Sequence, residues 1–270
     1  MPLFELQRGS APLVLSFPHV GTDVPHDLAE RFSPVARTLV DTDWDVDRLY
    51  SFAFELGCST LRANISRYVV DLNRDPADAP LYAGTVTTTV CPTETFDGEP
   101  LYERGENPGG GEIALRVASY WQPYHRALAM ELERVRAEHG YAILIDGHSI
   151  FGRLPRLFEG ELPDVNLGTN DGRSCSAAVA ETVASELRAR FPSLVVDGRF
   201  KGGYITRHYG DPPSGVHALQ IELNQRTYVM DGTRTSMDLV KSAVLSRALR
   251  NACSALVDRA AATPGSFGLS

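Results

Sequence analysis

Lysine is almost absent from this 270-residue chain. Of its 26 basic residues only Lys201 and Lys241 are lysines, so arginine carries nearly all the positive charge. The formal net charge is −8, which excludes a protein that tracks phosphates by bulk charge and argues against a nucleic-acid partner. An anionic small substrate stays open wherever arginines gather, because a guanidinium is the better carboxylate clamp. No stretch approaches the roughly 18 apolar residues of a membrane span. Met1 to Ser10 has no basic segment followed by an apolar run, so neither a signal peptide nor a membrane partner is expected. Cysteine is sparse: Cys58, Cys91, Cys175 and Cys253 lie far apart, with no C-x-x-C. A disulfide scaffold is thereby excluded, and reduced, buried thiols in a cytoplasmic protein are expected. Hydrophobic residues at 43% and charged residues at 22% rule out disorder, collagen-like repeats and coiled coil for the chain as a whole. H-E-x-x-H, a P-loop, G-x-G-x-x-G after a strand and G-x-S-x-G are all missing, which disfavours serine hydrolases and nucleotide enzymes of the usual types.

What is present reads as alternating strands and helices without an internal repeat or long linker. Pro12 to Phe17 is a short buried strand ended by Pro18. Asp41 to Gly57 has helical spacing, with Gly57 as its stop. Ser59 to Ala63 and Tyr68 to Leu72 read as strands, and Asn73 to Gly111 as a long loop. Glu112 to His139 is a helix expected to kink near Pro123 and to close at Gly140. Tyr141 to Ile145 is a continuously apolar strand, Phe151 to Arg173 a loop, and Ser174 to Arg190 a helix. Leu194 to Val196 and Val216 to Leu223 are strands, and Ser236 to Val257 is a final helix. The expected fold is one α/β domain over residues 1–270, a mixed, partly parallel sheet flanked by helices on both faces.

In such sheets, reactive groups collect past the carboxyl ends of the strands. His19 follows the first strand, Asn73 and Arg74 another, and Asp146 and His148 the YAILI strand, while Glu222 ends HALQIEL. A histidine at such a position is a reasonable zinc ligand, and a catalytic zinc takes three protein ligands and keeps one position open. The third ligand could come from the run Asp41, Asp43, Asp45, Asp47. The plainer reading of that run is an N-cap and a solvated acidic first turn. Alternation puts Gln220, Glu222 and Asn224 on one face of their strand, where a carboxylate is costly unless it is paired or faces a site, so Glu222 is a candidate general base. Asp146 is a candidate partner that orients an imidazole. Arg67, Arg74, Arg156 and Arg207 are candidates for holding an anion.

The segments SFPHVGTDVP, DTDWDVDRLY, SRYVVDLNRDP, CPTETFDGEPLY, IDGHSI, PRLFEGELPDVNLGTN, GRFKGGYITRHYG and HALQIELNQRTYVM, in that order, resemble the N-formylglutamate amidohydrolase family of histidine degradation. The resemblance runs from about Leu13 to Met230 and implies a fold like that of zinc carboxypeptidases and aspartoacylases. It implies hydrolysis of N-formyl-L-glutamate, one zinc ion per chain, and a small dicarboxylate substrate. Carried over, His19 and His148 match the zinc-binding histidines, Glu222 the general base, and Asn73-Arg74 the pair that holds a carboxylate. Arg207 or Arg67 would hold the second carboxylate. The H-x-x-E of zinc carboxypeptidases is broken, because Thr22 stands three residues after His19. Asp43 is therefore chosen as the acidic ligand, with Asp41 and Asp23 as fallbacks. The loops 76–111 and 151–173 are expected to cover the pocket. The competing readings are another N-acyl amino acid as substrate, a dicarboxylate sensor without turnover, and a nucleophile at Cys175 or Ser149.

Overall fold

The computed structural model describes residues 2–79 and 88–262. Its strands are β1 (Phe4–Gln7), β2 (Leu13–Phe17), β3 (Ser59–Ala63), β4 (Ala142–Ile150), β5 (Val165–Gly168), β6 (Val195–Val196) and β7 (Val216–Asn224). The helices are α1 (His26–Glu30), α2 (Val46–Leu49), α3 (Gly110–Arg116), α4 (Gln122–His139), α5 (Ala177–Arg188), α6 (Tyr204–Tyr209) and α7 (Leu239–Ala262). The described strands form one seven-stranded sheet in the order β1-β3-β2-β4-β7-β5-β6. The centre, β3-β2-β4-β7, is parallel, while β1 on β3 and β5 on β7 run antiparallel. This is the mixed α/β sheet that the strand pattern predicts.

Alternation along the central strands separates two cores. Leu13, Leu15, Ile143, Ile145, Leu219 and Ile221 point to one face, where α5 and α7 pack through Val179, Val183, Leu187, Leu245, Leu249 and Leu256. Val14, Ala142, Leu144 and Ala218 point to the other, against Tyr124, Leu128, Leu132 and Val135 of α4 and Ile205 of α6. A strand buried on both faces has no polar side to spare, which is why YAILI reads as an unbroken apolar run.

Several elements differ from expectation, each for a physical reason. Tyr68 to Leu72 is not a strand. It turns through Arg67–Val69, and the run is apolar because Tyr68, Val69, Val70 and Leu72 are all buried in the second core. Asp41 to Gly57 is not one helix. Asp45 takes a left-handed φ of 60°, so only α2 and a 3-10 turn at Ser51–Ala53 form, before Gly57 ends the segment at φ 68°. The long helix begins at Gly110 and widens into a π turn at Val117–Trp121, just before Pro123. Pro123 has no N–H to return to the turn before it, and the π turn lies where that bond would fall. β1 and α6 were hidden in segments too short to show a period. β5 lies inside the expected 151–173 loop. α7 starts three residues later than the pattern suggests and runs on to Ala262. Residues 80–87, part of the expected covering loop 76–111, lie outside the described residues.

Candidate metal centre and active site

β4 continues past the apolar run to Ile150, so Asp146 and His148 lie on the strand itself. Its parallel register with β7 pairs His148 with Glu222 and Asp146 with Gln220. The turn after β2 delivers His19, and the amide of Asp43 donates to the His19 carbonyl at 3.0 Å, fixing the acidic segment beside it. The three side chains meet: ligand atoms of His19, Asp43 and His148 all lie within 4.8 Å of one another, and all three residues are buried.

The imidazoles are held from behind. His19 Nε2 donates to Asp71 Oδ1 at 2.7 Å, and His148 Nε2 donates to Asp146 Oδ2 at 2.9 Å. Both Nδ1 atoms therefore turn inward, His148 Nδ1 to 3.0 Å and His19 Nδ1 to 3.7 Å from Asp43 Oδ2. A carboxylate behind each ring is the usual way of fixing a metal-ligating imidazole in orientation and tautomer. Burial opposes the charge of Asp43, yet its bond to His148 and the nearby His19 ring hold its carboxyl down to about 2. Asp71 is held well below the carboxylate range, against the pull of burial, by His19 and Arg67. Burial also opposes a charged His148, but Asp146 and Asp43 raise its proton affinity well above that of an ordinary imidazole. Three carboxylates, Asp43, Asp71 and Asp146, gather around two imidazoles and Arg67, so the site as a whole favours a cation. His19 Nδ1 is buried without a hydrogen-bond partner. An inward, unpartnered imidazole nitrogen next to an ionised carboxylate fits a divalent metal ion.

The acidic run divides by position. Asp41 is buried, and its Oδ2 accepts from Tyr68 Oη at 2.8 Å and from the Phe96 amide at 2.9 Å. That pairing commits it to the loop around Phe96. Asp45 pairs with Arg48 and Asp47 with Arg62, each at 2.7 Å. Asp23 is half-buried and does not line the cavity. Asp43 alone of these candidates faces the histidines.

Glu222 lines the same cavity, which opens to solvent. Burial pushes its carboxyl up to about 8, and Gln220 Nε2 donates to its Oε2 at 2.8 Å. Three arginines line the same cavity: Arg67, Arg74 and Arg199. Arg67 is buried, donates to Asp71 Oδ2 at 2.8 Å and lies 4.7 Å over the Phe96 ring. Arg74 Nε donates to Thr88 Oγ1 at 2.9 Å. Asn73 also reaches the cavity, but its amide is engaged within the protein. Nδ2 donates to Asp146 Oδ2 at 3.0 Å, and Oδ1 accepts from the Ile205 amide at 2.8 Å. Arg207 is not on the cavity wall, for its place on α6 lets Nε donate to the Gly202 carbonyl at 2.8 Å. Arg156 is likewise off the wall, paired with Glu94. Arg199, in GRFKGG, carries no periodic signal and was missed by sequence reasoning. Asp71 was missed too, although it precedes Asn73-Arg74 by two residues and follows three buried hydrophobics. Of the two nucleophile candidates, Cys175 is buried, which pushes its thiol up to about 12, and Ser149 Oγ is hydrogen-bonded to Tyr228 Oη at 2.7 Å.

Two imidazoles and a carboxylate turned inward, facing a glutamate that holds its proton near neutrality, are the equipment of a metal-assisted hydrolase. A sequence profile described as N-formylglutamate amidohydrolase matches residues 11–229. The chain is 51% identical over 228 residues to an N-formylglutamate deformylase of Pseudomonas aeruginosa, covering 84% of this chain and 85% of that protein. A deformylase of the same name from Pseudomonas putida is 46% identical over the same length, with the same coverage of each chain. The crystal structure of N-formylglutamate amidohydrolase from Ralstonia eutropha superposes with a TM-score of 0.80 at 27% identity, over 96% of this chain and 98% of that one. A structure from Agrobacterium tumefaciens, at 15% identity and a TM-score of 0.68 over 94% of this chain and 95% of its own, shares the fold. The chain belongs to the N-formylglutamate amidohydrolase family.

Proposed function

We propose that this chain, as one catalytic unit, hydrolyses the formamide bond of N-formyl-L-glutamate to formate and L-glutamate with a zinc ion held by His19, Asp43 and His148. The observation that carries the reading is the inward, unpartnered Nδ1 of His19 beside Asp43, with Glu222 lining the same cavity. The names and high identity of the Pseudomonas relatives support the substrate. The chemistry a zinc ion supplies in such a site is polarisation of a carbonyl oxygen and a water made easier to deprotonate.

The protein's own groups do the rest. Glu222, in its ionised form, takes the proton of the attacking water and returns it to the departing nitrogen. A carboxyl tuned toward neutral pH suits both transfers. Gln220 holds one Glu222 oxygen, leaving the other for the proton. Asp71 and Asp146 keep the imidazoles turned inward. Arg67, next to Asp43, is placed to stabilise negative charge developing on the carbonyl oxygen. Arg74 and Arg199 hold the carboxylates of the glutamate moiety. The formyl group is tiny, so binding energy from that dicarboxylate must position it. The apolar cluster of Phe96, Ile150, Leu154, Phe158 and Leu162, with Leu157 and Phe200 packed on it, covers one side of the cavity and limits water.

The test is formate release from N-formyl-L-glutamate by protein stripped with a chelator and then titrated with zinc. Activity rising to a plateau near one equivalent per chain is expected. Full activity in the stripped protein would remove the metal from the reaction, and no release at any zinc level would remove the substrate.

A further inference from the structure

The segment that carries the clamp, Leu72-Asn73-Arg74, belongs to no strand, so no ladder satisfies its backbone. Buried carbonyls without partners are costly, and each one here finds a donor from another element. The Leu72 carbonyl accepts from His125 Nε2 at 2.8 Å. The Asn73 carbonyl accepts from the Tyr204 amide at 3.2 Å. The Arg74 carbonyl accepts from Trp121 Nε1 at 3.0 Å. Two of the three donors are side chains of one helical stretch, four residues apart.

The geometry of that stretch is specific. Trp121 closes the π turn Val117–Trp121, and His125 lies one turn on in α4. Their rings stack at 3.7 Å and 22°, and the Tyr209 ring of α6 lies nearly parallel to the imidazole, 5.9 Å away between centroids and at 10°. The Leu72 carbonyl can only accept, so His125 Nε2 carries the proton and Nδ1 is the acceptor, 2.9 Å from the Tyr209 hydroxyl. Burial pushes this imidazole down to about 3, so it stays in that neutral form at working pH. A π turn shifts the side chains after it out of the ordinary α-helical phase, and such turns occur often at functional sites. Here it brings an indole N–H and an imidazole N–H onto two carbonyls of the substrate-holding segment. Neither residue lines the cavity, and no step of the proposed reaction uses them.

We infer that Trp121 and His125 are positioning residues that set the Arg74 guanidinium for the substrate carboxylate by holding the Arg74 and Leu72 carbonyls. This rests on the proposed reading of the cavity as a dicarboxylate site. Trp121→Phe keeps the ring and removes the donor. His125→Leu removes the second donor, and His125→Gln keeps an N–H for the Leu72 carbonyl.

The experiment is steady-state kinetics on N-formyl-L-glutamate with the zinc-loaded enzyme, together with calorimetric binding of L-glutamate. Each variant is made in the native and in the Arg74→Ala background. Trp121→Phe and His125→Leu are expected to raise KM and the L-glutamate Kd about tenfold, the size of one lost hydrogen bond to a buried carbonyl, with kcat within about twofold. His125→Gln is expected to recover most of the loss. In the Arg74→Ala background the same changes should have almost no further effect, since residues acting through one another are not additive. Unchanged KM and Kd, or an equal rise with and without Arg74, would overturn the inference. If His125→Leu does not fold, Trp121→Phe and its cycle decide alone. A native protein that binds L-glutamate but releases no formate overturns the activity and leaves the cycle readable in Kd. A native protein that neither binds nor turns over overturns both.

Discussion

Asp71 Oδ1 accepts from His19 Nε2 at 2.7 Å while Asp71 Oδ2 accepts from Arg67 Nη2 at 2.8 Å, so one carboxylate aligns an imidazole and a guanidinium of the same cavity. Removing it frees the His19 ring and leaves Arg67 only its longer approach to Asp43 at 3.7 Å. Asp71→Ala is expected to weaken metal affinity about 10- to 100-fold, the usual effect of deleting the partner of a metal-ligating histidine. Competition against a chromogenic chelator measures this, and native affinity in the variant would refute the role. Asp71→Asn should fall between, because an amide oxygen can still accept from one of the two partners.

Glu222→Gln keeps the shape and the contact with Gln220 but cannot carry a proton between water and nitrogen. The rate constant kcat should fall about 10²- to 10⁴-fold, the range of general acid–base contributions. Zinc content should stay at one equivalent, because Glu222 is not among the three converging ligands. Near-native kcat would move the base elsewhere in the cavity.

Arg199 lines the cavity and Arg207 does not, so the two arginines of the GRFKGGYITR segment separate cleanly. Arg199→Ala is expected to raise KM for N-formyl-L-glutamate roughly 10- to 100-fold, as expected for a lost charge-assisted bond. The effect on N-formyl-L-glutamine, which lacks the side-chain charge, should be much smaller. Arg207→Ala should leave both KM values within about threefold. Equal losses on the charged and neutral substrates would show that Arg199 supports the wall and does not recognise a carboxylate.

Much of this site was legible before any coordinates, and the limits have physical causes. His19, His148 and Glu222 stand at the ends of strands whose apolar runs are unmistakable, so their convergence follows from strand order and parallel register. Asp43 was harder, because an acidic run looks the same whether it caps a helix or faces a metal. The left-handed turn at Asp45, which separates a buried Asp43 from the surface pairs of Asp45 and Asp47, leaves no periodic trace. Asp71 and Arg199 act through long-range partners, Asp71 through His19 52 residues away and Arg199 through the Leu157 carbonyl 42 residues away. No local pattern encodes such contacts. The false strand at Tyr68 to Leu72 has the same origin: β-branched and aromatic residues signal burial on a turn as readily as in a sheet.

The buried His125 also predicts how stability depends on pH. Its folded pKa is about 3, against an ordinary value of 6.5. Between those values the unfolded chain binds a proton that the folded chain does not, so stability falls as pH drops through 6.5 and continues to fall toward 3. The slope from this one group approaches about 1.4 kcal/mol per pH unit once pH is well below 6.5. Urea midpoints in excess chelator at pH 7.5 and 5.5, for the native chain and His125→Gln, isolate the contribution, because every other titrating group is common to both. The native chain should lose about 1.4 kcal/mol more than the variant across that interval. Parallel losses in the two proteins would mean that the imidazole takes up its proton without leaving the Leu72 carbonyl, and that the stack opens far more easily than its burial implies.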